Sequence, residues 1–160
     1  MSYKGKKVSK VFEPKEGYDL YLLLDAKRGF AEAVSQSVFI EGRYNKLSRQ
    51  IAQTFHYCFV CKGRGCQHCN FSGKLSELSV QELLDKKLLG AFGSRESKFH
   101  GCGREDVDVL MLGKGRPFVF EAVKPTKRSI GLAAIEREIN SEFKGQIAVT
   151  GLSFCNQRRV

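Results

Sequence analysis

The sequence predicts an α+β fold in which helices flank a mixed or antiparallel sheet that carries a small metal-binding knuckle. Two observations favour the sheet and its helices: residues 129–143 place apolar side chains at helical spacing, and short apolar segments of strand length lie on either side of them. The third observation is a cluster of four cysteines at residues 58–69. With 160 residues, of which 42% are hydrophobic, the chain is long enough to bury a core.

The charge of the chain indicates a polyanionic partner. Its 27 lysines and arginines exceed its 17 acidic residues and give a net charge of +10, which favours nucleic acid. The longest apolar segment, at residues 20–24, is too short to cross a membrane, and the N-terminus lacks the apolar core of a signal peptide. We therefore expect a cytoplasmic protein with no membrane association, whose cysteines are metal ligands or free thiols.

The residues that precede the cysteine cluster carry the weaker patterns. Residues 1–17 are basic and polar and predict a loose arm, whereas residues 25–34 are ambiguous. Strands are predicted at residues 18–24 and 37–44. Residues 45–54 are again basic and polar, with few apolar anchors.

Two helices are predicted after the cysteine cluster. The first lies within residues 76–92, where Ser79 can cap its N-terminus and Glu82, three residues later, completes a capping box. The second covers residues 129–143. Its apolar face consists of Leu132, Ile135, Ile139 and Phe143.

A hairpin and a final strand complete the predicted sheet. Residues 107–112 and 117–123 are the two strands of the hairpin, joined by a turn at residues 113–116 whose two glycines permit the positive φ that tight turns need. The final strand covers residues 146–154. Because the sheet ends one strand after a helix, we expect it to be incomplete. We find no internal repeat.

The clustered cysteines predict a structural zinc site. They form two C-x-x-C pairs, made by Cys58, Cys61, Cys66 and Cys69. Four thiolates satisfy tetrahedral zinc with no open position, and free thiols or an iron–sulfur cluster are the alternatives. His56 and His68 flank the cluster but are expected to be bystanders, and Cys102 and Cys155 are expected to pack rather than react.

The predicted hairpin begins with an unusual concentration of charge, since strands disfavour aspartate. The charged residues are Arg104, Glu105, Asp106 and Asp108. One interpretation is a metal-dependent nuclease that uses Asp108 and Glu121. The required lysine is then Lys124, but a regular strand turns a residue three positions after Glu121 to the opposite face.

A second interpretation rests on resemblance to a known family. The string GREDVDVLMLGKGRPFVFE at residues 103–121, together with EGRYNKLSRQIAQT at residues 41–54 and the C-x-x-C pairs, resembles the archaeal and eukaryotic tRNA pseudouridine synthase ten family. The resemblance implies a partial pseudouridine synthase fold. It also implies isomerisation of a T-loop uridine in tRNA, in which the C1′–N1 bond breaks and C5 joins C1′ without an organic cofactor.

The resemblance also assigns roles around the charged strand end. It implies that Asp106 is the catalytic carboxylate. Arg104 can pair with Asp106 and keep it ionised, and can help fill the space that an extruded base leaves. Glu105 is expected to point to solvent, and Asp108 to be a structural hydrogen-bonding acid.

Cations outside the charged strand end predict an RNA-binding face. The segment around residues 43–49 concentrates positive charge with few apolar residues, and the cysteine loops and the predicted hairpin turn add more. The predicted RNA contacts are Arg43, Tyr44, Lys46, Arg49, Lys62, Arg64, Lys114 and Arg116.

The family resemblance covers a zinc module and the first half of a catalytic domain. It divides the chain into a reduced THUMP-like RNA-binding region at 1–57, a zinc knuckle at 58–74 and a half catalytic domain at 75–160. Full-length members have a further half-domain with a tyrosine that stacks on the uracil, whereas the last tyrosine here is Tyr57. We expect a split enzyme completed by a second polypeptide or by self-association, a catalytically inactive tRNA-binding protein, or a fragment of a longer protein.

Overall fold

The computed structural model describes residues 19–25 and 27–160, which fall into two compact units divided between Gln36 and Ser37. The first unit is an antiparallel hairpin of β1 (Leu20–Asp25) and β2 (Phe30–Ser35). At the turn, the Asp25 carboxylate accepts hydrogen bonds from the backbone N–H groups of Lys27 and Arg28. The segment that the sequence left ambiguous therefore contains a strand, and the predicted arm at 1–17 lies outside the described residues.

The second unit is built on a four-stranded antiparallel sheet with the order β6-β7-β3-β8. Its strands are β3 (Val38–Lys46), β6 (Glu96–Gly101), β7 (Met111–Val123) and β8 (Ile147–Cys155), and a short parallel pair is formed by β4 (Ile51–Ala52) and β5 (Leu78–Ser79). Because β3 is a central strand of this sheet, the predicted domain boundary at residue 57 is not where the compact units divide.

Both predicted helices are confirmed. Helix α1 (Val80–Phe92) begins at Ser79, whose hydroxyl oxygen accepts from the Glu82 N–H, and ends at Gly93 with φ +59°. Helix α2 (Leu132–Glu142) is shorter at both ends than predicted but buries the predicted apolar face. The helices and the sheet share one core, whose fully buried large side chains include Ile40, Leu83, Leu84, Leu88, Phe92, Phe118, Phe120, Ile139 and Ile147.

The predicted hairpin of residues 107–112 and 117–123 is wrong. Strand β7 is continuous, and its edge-side partner β6 had no prediction. Gly113 and Gly115 do adopt positive φ, at +71° and +70°, but they form a bulge in which Arg116 pairs with Tyr44 and Met111 pairs with Lys46. Residues 107–110 form no strand, and the side chains of Lys46 and Arg49 bind the backbone carbonyls of Val107 and Asp108 in place of a neighbouring strand.

Within residues 19–25 and 27–160, neither α1 nor α2 is long and apolar enough to cross a bilayer.

Candidate active-site loop and metal centre

The charged segment that the sequence singled out is a loop, residues 102–110, which joins β6 to β7. Asp106 lies in the middle of this loop, and its side chain is exposed. We call residues 102–110 the aspartate loop. Its backbone is held by side chains of β3 and β7 and by Arg49 and Gln53, which flank β4.

Lys46 is the first of these supports and is fully buried, with 0% of its surface exposed. Its ammonium group donates to three backbone carbonyls: Ile51 at 2.9 Å, Asp106 at 2.9 Å and Val107 at 2.7 Å. All three donors of the ammonium are therefore used. Burial lowers the pKa of Lys46, and the carboxylates of Glu105 and Asp108 oppose that shift. The lysine ties β3 and β4 to the aspartate loop.

Glu105 is the second support, and the prediction that it points to solvent is wrong. Only 3% of its side chain is exposed. Its carboxylate accepts from the Tyr44 hydroxyl at 2.7 Å and from Gln53 Nε2 at 3.1 Å. Arg116 Nε lies 2.7 Å from Glu105 Oε2 as an ion pair, although the N–H is not aligned for a hydrogen bond. The loop is thus anchored inward by the residue next to Asp106.

The Tyr44 hydroxyl joins this network in both directions, because it donates to Glu105 and accepts from Gln53 Nε2 at 2.8 Å. Burial, followed by the hydrogen bond to Glu105, raises the pKa of Tyr44 well above its ordinary value of 10. The phenol therefore remains a neutral donor throughout the physiological pH range.

Three further hydrogen bonds fix carbonyls along the aspartate loop. Their donors are the side chains of Gln53, Arg116 and Arg49, which reach the carbonyls of Gly103 at 3.0 Å, Cys102 at 2.9 Å and Asp108 at 2.8 Å respectively. The contact at Asp108 uses its backbone, and its carboxylate is exposed, so the predicted structural role of that carboxylate has no support. Carbonyls at both ends and in the middle of the loop are fixed.

Arg104 does not pair with Asp106 among the ion pairs of residues 19–25 and 27–160. Its Nη2 instead lies 2.6 Å from Nε2 of His56. Because a guanidinium group only donates, His56 Nε2 is the acceptor, and Thr54 Oγ1 lies 3.0 Å from the same nitrogen. His56 lies outside the four-cysteine group and orients Arg104. The Asp106 side chain, two residues away, is left exposed.

The predicted RNA contacts separate into exposed and buried residues. The exposed cations are Arg43, Arg49, Lys62, Arg64 and Lys114. Arg116 is half-buried against Glu105, and Tyr44 and Lys46 are fully buried. Assigning the last two to an RNA-binding face was wrong, because their polar atoms point inward to the aspartate loop. The concentration of positive charge in the sequence around residues 43–49 does not indicate which of its side chains point inward.

A cleft of about 560 Å³ opens on the sheet face formed by β3, β6, β7 and β8. Its lining includes Arg43, His100, Phe118 and the first loop residue, Cys102. Arg43 also donates to the carbonyl of Lys114 at 2.8 Å, which holds its side chain along the sheet. A ligand in this cleft can contact both a cation and the start of the aspartate loop.

The four predicted metal ligands are brought together. The sulfur atoms of the cysteines lie within 4.8 Å of one another, and residues 19–25 and 27–160 contain no second group of this kind. The Cys58–Cys66 and Cys61–Cys69 sulfurs are 3.9 and 3.8 Å apart. The cluster can therefore hold one metal ion.

Backbone N–H groups point at the sulfurs of Cys61 and Cys69 and, at Cys69, favour the thiolate form. Gly65 donates to Cys61 Sγ at 3.2 Å, and Gly73 donates to Cys69 Sγ at 3.2 Å. Burial raises the pKa of the Cys69 thiol, but hydrogen bonds from the backbone of Cys66 and Gly73 outweigh it and lower that pKa to about 6. A thiolate is the form that ligates a metal.

The two metal-binding loops are a repeat, contrary to the expectation that the chain has none. CFVCKGRG at 58–65 and CQHCNFSG at 66–73 share the pattern C-x-x-C-x-x-x-G. Their backbones repeat as well, since positive φ occurs at residues 62, 63 and 65 and again at 70, 71 and 73. The repeated pattern is visible in the sequence alone. No local sequence pattern, in contrast, indicates that Gln53 or His56 supports the aspartate loop.

The nuclease interpretation fails on geometry. The Glu121 carboxylate faces Ser37, Lys98 and His100, with contacts of 2.8 to 3.2 Å. It lies near the end of β7 that is remote from the aspartate loop and Asp108. These two acids do not occur together in any metal-ligating group among the residues that the structure describes.

Comparison with known proteins gives a consistent family. The profile of the family described as "Pus10, C-terminal" matches residues 39–160. A protein of Methanothermobacter marburgensis named "tRNA pseudouridine synthase Pus10" is 44% identical over 97% of the chain and 40% of its own length. Proteins of the same name from Archaeoglobus fulgidus and Methanocaldococcus jannaschii are 41% and 49% identical over 96% and 73% of the chain, and over 44% and 25% of their own lengths. The chain thus spans well under half of the length of these relatives.

Proposed function

The chain belongs to the Pus10 family, and from that premise we propose that it is the part of a tRNA pseudouridine synthase that carries the catalytic aspartate. The reaction is an isomerisation of a T-loop uridine, with no organic cofactor. The proposal rests on the exposure of Asp106 on a loop that is fixed beside it. Lys46 binds the Asp106 carbonyl, and Tyr44 binds the neighbouring Glu105 carboxylate. An acid held in this way meets its substrate with little reorganisation.

In the proposed reaction, Asp106 approaches the ribose of an extruded uridine as nucleophile or base. Lys46 and Glu105 hold the backbone on either side of it, so the carboxylate keeps one position while the glycosidic bond breaks and C5 replaces N1 at C1′. Arg104, held by His56, lies at the edge of the loop and is proposed to occupy the space that the base leaves in the stack.

We propose that the exposed cations bind the tRNA backbone. They are Arg43, Arg49, Lys62, Arg64 and Lys114. A side chain must be exposed to contact a phosphate group, and all five of these cations are exposed. A cytoplasmic location fits a tRNA substrate.

We propose that the ion at the four cysteines is zinc. In a tetrahedral site with Zn–S bonds of about 2.3 Å, neighbouring sulfurs are roughly 3.8 Å apart, which matches the observed spacing of 3.8 and 3.9 Å. Four protein ligands leave no position for a substrate, so the role is structural. Zinc then stabilises a loop segment whose core consists of little besides the cysteines themselves.

Catalysis is proposed to need the remainder of the Pus10 protein. The chain spans 25–44% of the length of the three relatives described above, and its last tyrosine, Tyr57, lies outside the aspartate loop and the strands that follow. A second polypeptide, or a longer form of this one, supplies the missing half. The alternative function, tRNA binding without catalysis, is favoured for this chain in isolation by the same short span.

The test is pseudouridine formation on an unmodified tRNA transcript, detected by carbodiimide adducts and primer extension. The chain is assayed alone and in an assembly with the remainder of a Pus10 relative. Asp106→Asn is expected to abolish isomerisation in the assembly while leaving tRNA affinity within about twofold, and Asp108→Asn serves as the matched exposed control. An Asp106→Asn assembly that works as well as the parent would contradict the proposal, and a parent assembly without activity would favour the binding function.

A further inference from the structure

The cysteine module, residues 58–74, contains a phenylalanine in a conformation that its repeat assigns to glycine. Aligning the two repeats places Cys58 on Cys66 and Gly63 on Phe71. Gly63 has φ +90°, and Phe71 has φ +60°. A bulky residue rarely adopts this left-handed conformation, because its Cβ then crowds the following carbonyl oxygen. Phe71 therefore carries a backbone cost that glycine would not.

Packing does not account for Phe71. Its side chain is 76% exposed, although it is among the largest apolar groups of the module. The repeat itself is held by backbone: the Phe71 N–H donates to the Cys66 carbonyl at 2.9 Å, and the Phe71 carbonyl lies against the α-carbon of Gly65. These backbone contacts require a residue with positive φ at this position but do not require an aromatic side chain. The ring therefore does not contribute to them. Strain that the fold does not use points to a function.

The cysteine module carries exposed cations as well as exposed apolar side chains, among them Phe59 and Val60. The backbone of Phe71 lies beside Gly65, which follows Arg64 in the chain, and Lys62 is exposed on the same loop. The sequence of residues 58–74 contains no acidic residue. A protein-binding patch is depleted of lysine and acid at its centre, whereas an exposed ring among cations is the arrangement that binds an unpaired base with its phosphates.

A second exposed ring extends the same kind of surface. Tyr57 is 64% exposed, and its ring packs against the α-carbon of Gly63. Gly63 is the residue between Lys62 and Arg64. The next residue back, His56, holds Arg104 of the aspartate loop. Aromatic rings and cations thus continue from the cysteine module towards Asp106.

We infer that Phe71 is a stacking platform for an unpaired base of the RNA substrate. The ring stacks on the base, and Lys62 and Arg64 neutralise the flanking phosphates. The inference rests on the proposed function, since it deepens the tRNA-binding role of the chain by naming single-stranded or looped nucleotides as what the cysteine module binds.

The experiment measures binding of the full chain, loaded with zinc, to a fluorescent T-arm stem-loop RNA and to a blunt duplex of equal length. Phe71→Ala removes the ring but keeps the left-handed backbone, Phe71→Gly removes both the ring and the strain, and Phe71→Trp restores a stacking surface. Phe30→Ala, which removes an exposed ring of the other compact unit, is the control.

We expect Phe71→Ala and Phe71→Gly to weaken stem-loop binding about tenfold and duplex binding less than twofold, because alanine substitution of a stacking aromatic commonly costs this much per base. Phe71→Trp should bind as the parent does. Phe71→Gly should bind zinc fully and unfold no earlier than the parent, which excludes a folding defect as the cause.

Unchanged stem-loop affinity in both ring-removing variants would overturn this inference alone. An equal loss on the duplex would also overturn it, since a duplex offers no unpaired base. A change in the mass of the chain in solution would assign the ring to a second copy instead. A parent chain that binds neither RNA would overturn the proposed function together with the inference.

Discussion

The ammonium group of Lys46 donates to the backbone carbonyl of Asp106 at 2.9 Å, across 60 residues of sequence. A fully buried cation thereby fixes the main chain of an exposed acid. Lys46 holds the backbone of the aspartate loop, and the Asp106 side chain faces solvent.

Lys46→Met should destabilise the chain by about 1–3 kcal/mol, because the buried carbonyl of Ile51 and the partly buried carbonyls of Asp106 and Val107 lose their donor. Urea unfolding measures this change. Amide exchange at residues 104–108 should also become faster than in the parent. Lys114→Met, an exposed lysine on β7, is the control. Equal midpoints for Lys46→Met and Lys114→Met would contradict the role of Lys46.

Tyr44→Phe should lower the free energy of unfolding by about 1–3 kcal/mol, since Glu105 and Gln53 each lose a buried hydrogen-bond partner. Tyr57→Phe should be nearly neutral, because Tyr57 is exposed. RNA affinity, normalised to folded protein, should be unchanged by Tyr44→Phe. A drop in affinity without a drop in stability would restore Tyr44 to the RNA-binding face.

Purified chain should contain one zinc ion, and Cys61→Ser should lose it together with much of its stability, since loss of a structural metal is a large-effect change. Cys102→Ser, at an exposed cysteine outside the cluster, should retain the metal. Emission spectrometry on reduced protein measures the stoichiometry. Less than half an equivalent in the parent would rule out the site.

Glu121→Gln should remove a pH-dependent part of stability. Burial raises the pKa of Glu121, but hydrogen bonds from Ser37, His100 and Lys98 outweigh it and hold that pKa below its ordinary 4.5. A depressed carboxyl pKa stabilises the folded state above the unfolded value, and this contribution is lost as pH falls through the folded value.

The difference in unfolding free energy between the parent and Glu121→Gln should therefore shrink as the pH falls below 4.5. Comparing the two proteins at each pH cancels the loss of metal that acid causes in both. A difference that stays constant down to about pH 3 would show that the contacts of Glu121 do not depress its pKa.

Lys62→Gln with Arg64→Gln should weaken binding to a tRNA transcript and reduce its salt dependence. Each lost phosphate contact should lower the slope of log affinity against log salt by about 0.9. Glu77→Gln and Glu96→Gln change the net charge in the opposite direction at exposed sites and serve as controls. A slope that is the same in parent and double variant would remove these cations from the proposed interface.

The sequence by itself determined the features that depend on neighbours along the chain. The C-x-x-C spacing selected the four cysteines that can hold a metal, and the capping pair Ser79–Glu82 and the apolar spacing of α2 selected the helices. The four cysteines all lie within residues 58–69, and helix contacts lie three or four residues apart, so both patterns are local.

Only the tertiary structure decided what surrounds Asp106. The segment at residues 107–112 predicts a strand, yet the carbonyls of Val107 and Asp108 are bound by Lys46 and Arg49, which lie 61 and 59 residues away. The charged segment at 43–49 reads as surface, yet two of its residues point into the core. The direction of the Tyr44 and Lys46 side chains is set by which side of β3 meets the helices. It is also set by the bulge at Gly113 and Gly115 in the partner strand. Both features depend on strand pairings that the local sequence pattern does not encode.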